Sequence, residues 1–100
     1  MNKTGKNMKK ERNTGVYEAI LALENLDECV KFFDDLCSIT ELRAMEQRYQ
    51  VACLLDGGHI YSDILERTGA SSATISRVNR CLLYGAGGYG IAFKRLAEKK

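Results

Sequence analysis

From residue 16 onward, apolar residues recur at intervals of three and four rather than two, and no proline interrupts them. That period belongs to amphipathic helices, because side chains three and four apart stack on one helical face. Val16, Ile20 and Leu23 share one face of a short first helix, and Leu26, Cys29, Val30, Phe33 and Leu36 form a stripe on a second. Cys29 reads as core, since a buried free cysteine packs as a small hydrophobe. Ser38 followed by Glu41 has the S-x-x-E spacing of a capping box, so a third helix is predicted from Ile39 to about Asp56, closed by Gly57-Gly58. Its first half is amphipathic through Leu42, Met45 and Tyr49, whereas residues 51–55 (VACLL) are apolar all round. A helix apolar on every side needs neighbours on every side. In so short a chain, a second copy is the expected source.

Residues 60–84, IYSDILERTGASSATISRVNRCLLY, carry the parts of a helix-turn-helix. Ile64 and Leu65 are the inward residues of a first helix ending near Thr68, Gly69 stands at the turn, and Ser71 is a good N-cap for a second helix that closes at Gly85. On that second helix Ile75, Val78, Cys81 and Leu82 fall on one side. Ala73, Ser76, Arg77 and Arg80 fall on the other, with Ser72 at the tip. Small residues let a helix sink into the major groove, hydroxyls bond either donors or acceptors on base edges, and arginine takes guanine or phosphate with two bonds. An ordinary helical hairpin with a solvated basic face is the competing reading. Asp63 and Glu66, on the first helix, argue mildly against close phosphate contact there.

The net charge of +2 conceals a division: residues 1–12 carry +4, residues 13–56 carry −6 and residues 57–100 carry +4. A basic end against an acidic body fits a molecule that presents one face to a polyanion. Residues 1–15 lack an apolar period and read as a flexible basic arm, either a solvated tail or a contributor of phosphate contacts. The remainder, 16–100, reads as one domain. Neither a secretory signal nor a membrane span is expected, because no wholly apolar run is longer than the five residues 51–55; the expected location is cytoplasmic. The four cysteines lie far apart with no C-x-x-C pair, and they read first as structural thiols, then as a metal or redox site, then as disulfides. The lone His59 has no partnered nucleophile, so no enzyme, metal site or resident cofactor is expected.

The stretch GASSATISRVNRCLLYG, with FFDDLCSITELRAMEQRYQVACLLDGG before it, resembles the Trp repressor superfamily, and within it the YerC/YecD-type subgroup. The resemblance covers roughly residues 26–84 with a similar tail. It implies an all-α fold of about six helices and an intertwined homodimer that places two recognition helices in successive major grooves of a palindromic operator. It also implies that the helix from Ile39 joins the dimer core. A last helix near residues 89–98, with Ile91, Phe93 and Leu96, would pack on the partner. Arg48 and Arg77 match the two arginines that flank the family's corepressor, while Val78 stands where tryptophan-binding members have glycine, which places tryptophan itself in doubt.

The expected function is therefore a homodimeric, sequence-specific transcriptional regulator on double-stranded DNA. Its DNA contacts are Tyr61, Ser62, Ser71, Ser72, Ala73, Thr74, Ser76, Arg77 and Arg80. Candidate effector contacts are Arg48, Arg77 and Val78, with Arg48 and Arg77 read first as phosphate contacts or as salt-bridge partners of the acidic middle. The alternatives are a helix-turn-helix-shaped protein-interaction adaptor and a regulator that responds to a ligand other than tryptophan.

Overall fold

The structure, a computed structural model, describes residues 12–99. Most of the predicted basic arm lies outside the described residues, and helix α1 already opens at Gly15. Six helices and no strand are found among the described residues. They form two compact units divided between Ser38 and Ile39.

The first unit holds α1 (Gly15–Ala22) and α2 (Leu26–Leu36). Polar side chains fix where each begins. Asn13 Oδ1 accepts from the Gly15 N–H at 3.0 Å, and the Thr14 hydroxyl donates to Glu18 at 2.6 Å. At α2, Asn25 Oδ1 accepts from the Glu28 N–H at 2.9 Å while Glu28 accepts from the Glu24 N–H at 2.8 Å. This reciprocal arrangement satisfies orphan donors as a capping box does. The expected apolar face of α1 is half-buried at Val16, Ile20 and Leu23, whereas Leu21 is 85% exposed. On α2 the stripe is covered only at Cys29 and Phe33.

The second unit contains α3 (Ile39–Asp56), α4 (Tyr61–Thr68), α5 (Ser72–Tyr84) and α6 (Gly88–Glu98). Helix α3 ends as the sequence predicts, in a Schellman motif: Gly58 N–H donates to the Leu55 carbonyl and His59 N–H to the Leu54 carbonyl, both at 3.0 Å, with Gly58 at φ 88°. The buried core is small. It consists of Val51 and Ala52 from α3, Ile64 from α4, Ala70 from the turn, and Ile75 and Val78 from α5, with Leu54, Leu55, Leu82, Tyr89 and Phe93 packed against it.

Three expectations about facing are corrected. Cys81 and Leu65, both predicted inward, are exposed, and Cys53 is the exposed member of VACLL. Each of the three sits where the small core of one chain has run out of neighbours to cover it. Phe93 turns toward its own chain, with ring centroids 5.9 Å from Tyr49 and 6.0 Å from Tyr89, and only Ile91 and Leu96 of its apolar set are left exposed.

Because Ile64 is fully buried between α3 and α5, Ile64→Ala is expected to lower stability by about 2–5 kcal/mol. Urea unfolding followed by circular dichroism measures this, and a loss below about 1 kcal/mol would contradict the core described here.

Candidate nucleic-acid interface

Two short helices joined by a tight turn make up the region predicted from 60 to 84. Helix α4 closes at Gly69, whose φ of 71° is a left-handed conformation that glycine adopts without a side-chain penalty. Thr68 then stitches the turn: its hydroxyl donates to the Ile64 carbonyl at 2.8 Å and accepts from the Ala70 N–H at 3.1 Å. Ala70 follows, buried, and Ser71 caps α5 by accepting from the Thr74 N–H at 3.1 Å. From α3, the Gln47 amide donates to the Thr68 carbonyl at 3.1 Å, which ties the turn to the helix beneath it.

The orientation of α5 follows from its buried residues. With Ile75 and Val78 in the core, Ser72, Ala73, Ser76, Arg77 and Arg80 are all exposed, as the periodicity requires. Ser71 and Thr74 also hold the start of the helix. The Ser71 hydroxyl donates to Thr74 Oγ1 at 3.1 Å besides accepting from the Thr74 backbone, so these two hydroxyls serve the helix start first. Tyr61 and Ser62 are exposed at the beginning of α4.

Sequence reasoning passed over one charged cluster. Asp63 Oδ2 lies 2.6 Å from His59 Nδ1, and both its oxygens receive the Arg67 Nε–H at 3.1 Å. The hydrogen bond from His59, and after it that from Arg67, holds the Asp63 carboxyl below the usual carboxylate range. The spacing of four between His59, Asp63 and Arg67 was the available signal. It changes the electrostatics of α4, since the Asp63 charge is offset on the spot.

A cleft of about 410 Å³ opens between α3 and α5, lined by Ala44, Gln47, Arg48, Thr74 and Arg77. Arg48 and Arg77 are thus brought together, and neither is in an ion pair among the described residues. No group of three or more His, Cys, Asp or Glu among the described residues is placed to hold a metal ion. No described helix is long and apolar enough to cross a membrane.

The sequence matches the Trp repressor protein family over residues 11–97. The chain belongs to the Trp repressor family. It is 49% identical over 83 residues to the uncharacterized protein YerC of Bacillus subtilis (strain 168), a match covering 83% of this chain and 80% of YerC. Among solved structures it is similar to a candidate Trp repressor from Staphylococcus aureus, with a TM-score of 0.82 at 42% identity over 90% of this chain and 93% of that one. A TrpR-like protein from Eubacterium eligens ATCC 27750 gives a TM-score of 0.83 at 47% identity, covering 91% and 96%. The chain is thus a YerC-type member of the Trp repressor family with an all-α fold.

In this Trp repressor fold Val78 lies on the inward side of α5, as the period of that helix predicts. It is 2% exposed and belongs to the core, and it does not line the cleft that Arg48 and Arg77 share. Truncating Val78 to glycine would therefore remove packing between α3 and α5 as well as any bulk near a ligand.

Asp63 gives a pH-dependent prediction. A carboxyl whose folded pKa is depressed contributes stability above its unfolded pKa, and that contribution is lost as the pH falls through the folded pKa. Asp63→Asn is accordingly expected to lower the Tm at neutral pH, with the gap to the natural protein closing in the acid range where Asp63 itself protonates. Thermal melts across pH measure the gap, and a constant difference would contradict the assignment.

Proposed function

We propose that the protein is a sequence-specific DNA-binding transcriptional regulator, with repression as its expected output, that acts as a homodimer on palindromic operator DNA. The observation that carries the reading is the outer face of α5. Ser72, Ala73, Ser76, Arg77 and Arg80 are exposed together on a helix whose opposite side is locked by Ile75 and Val78. Ser72, Ala73 and Ser76 offer small and hydroxylated contacts to base edges, and the two arginines take guanine or phosphate. Tyr61 and Ser62, at the start of α4, and the turn at Ser71 with Thr74 serve as phosphate contacts. Membership of the Trp repressor family supports the same reading. Such a role puts the protein in the compartment that holds the DNA.

The homodimer is supported by what a single chain leaves uncovered. Among the described residues only six hydrophobic residues are buried, none of them in α1, α2 or α6. Leu21, Leu26, Ile39, Tyr84 and Ile91 are meanwhile more than half exposed, on five different helices. Apolar surface on that scale is what a partner subunit removes from water. The mass in solution by light scattering is expected near twice 11.2 kDa, and a mass near 11.2 kDa at micromolar concentration would contradict the dimer.

A second reading concerns regulation. Two arginines without ion-pair partners facing one cleft favour a small anionic effector there. The test of function is selection of binding sites from a random duplex library, with and without a metabolite pool. Arg80→Ala is expected to weaken binding to all sequences and to reduce the salt slope by about 1. Ser76 and Ala73 substitutions should change which sequence is preferred. A titration at low salt with no affinity for any duplex would overturn DNA binding and leave the protein-interaction adaptor.

A further inference from the structure

His59 is the one histidine of the chain. We infer that it makes DNA affinity depend on pH, by adding a positive charge beside the phosphate-contacting start of α4 when it is protonated. The inference rests on the DNA-binding reading above. Its geometry stands on its own. The backbone of His59 is held by the closing turn of α3, where its N–H donates to the Leu54 carbonyl at 3.0 Å. Its ring Nδ1 is held 2.6 Å from Asp63 Oδ2, and Asp63 is held in turn by Arg67.

Asp63 and Arg67 neutralise one another, so the imidazole decides the net charge of the three: zero when it is neutral and +1 when it is protonated. Histidine is the side chain whose ordinary charge change lies between about pH 5 and 8. On a helical wheel of about 100° per residue, Ser62 and Glu66 lie on the side of α4 away from the buried Ile64, and Asp63, which follows Ser62 in the chain, lies on the flank between that side and the core. The change of charge therefore occurs next to Ser62, one of the proposed phosphate contacts. The other charged groups nearby are Glu66 on α4 and Asp56 at the end of α3, both exposed and in no ion pair among the described residues. Neither forms an ion pair with His59, whose only such partner among the described residues is Asp63.

The test uses the full chain and a duplex recovered by the library selection, with fluorescence anisotropy at about pH 6 and about pH 8 over a series of salt concentrations. Affinity is expected to rise several-fold on going from the higher pH to the lower. The slope of log K against log salt is expected to steepen by about 0.9 for each His59 engaged. His59→Gln should bind equally at both pH values, and His59→Lys should bind equally at both and more tightly than His59→Gln. Circular dichroism melts at each pH establish that the variants are folded. Binding by the natural protein that does not change with pH, or a rise that persists in His59→Gln, overturns the inference while leaving DNA binding intact. Absence of binding at any pH removes the DNA-binding reading itself, and this inference with it.

Discussion

Val51 and Ala52 on α3, both fully buried, meet Ile64 from α4 and Ile75 and Val78 from α5. The placement of the candidate site depends on that contact. Ala52 has almost no side chain, which lets the two short helices come close to α3. The β-branched Val51, Ile64, Ile75 and Val78 have few rotamers, so they fill the space in one way. Once Ile75 and Val78 are fixed, the opposite side of α5 has to face solvent, and it carries Ala73, Ser76, Arg77 and Arg80. The hydrogen bond from Gln47 to the Thr68 carbonyl sets the turn against the same helix. The exposed chemistry is thus held by a few apolar contacts, of which Ile64 and Ile75 are each worth about 2–5 kcal/mol on truncation to alanine.

So small a core is thin support for a chain of this size. The apolar residues that the core leaves uncovered are spread over every helix, and α1, α2 and α6 bury none of their own. On the dimeric reading, the packing that a single chain lacks comes from its partner. The helix-turn-helix then gains rigidity from a contact outside itself. Charge follows a similar division, with the acidic excess in residues 13–56 and a basic excess in residues 57–100.

Local chemistry was legible in the sequence wherever a backbone group needs a particular residue. Gly69 at the left-handed turn, Ser71 at the start of α5 and Gly57-Gly58 at the end of α3 are all found as read. The inward positions Ile64, Ile75 and Val78 also follow from the period of the chain. The period does not tell how far coverage extends. Leu65 and Cys81 belong to the apolar side by spacing and yet are exposed, because spacing records every neighbour the residue has evolved beside, including any outside the chain. The cap at Asn25 and the His59–Asp63–Arg67 cluster were visible as spacings of three and four, but such spacings are common on solvated helices and become interactions only when geometry closes them. Family likeness transfers the position of Val78, and the period of the helix supplies the inward direction of its side chain.

Arg77 is the residue in which the two candidate surfaces meet. It lines the cleft with Arg48, Gln47, Thr74 and Ala44, and it also lies with Ser76, Arg80 and Cys81 along the outer face of α5. One guanidinium cannot satisfy an anion in the cleft and a phosphate or guanine in the groove with the same donors. On the regulatory reading, an effector that takes both arginines therefore competes with DNA for Arg77 unless it leaves part of the fork free. An effector held by Arg48 alone would instead steady α5 from behind and favour DNA. The coupling is reciprocal in either case, so DNA must change effector affinity by the same factor and in the same direction. Whether occupancy of the cleft represses or promotes binding is thus decided by how the Arg77 donors are shared.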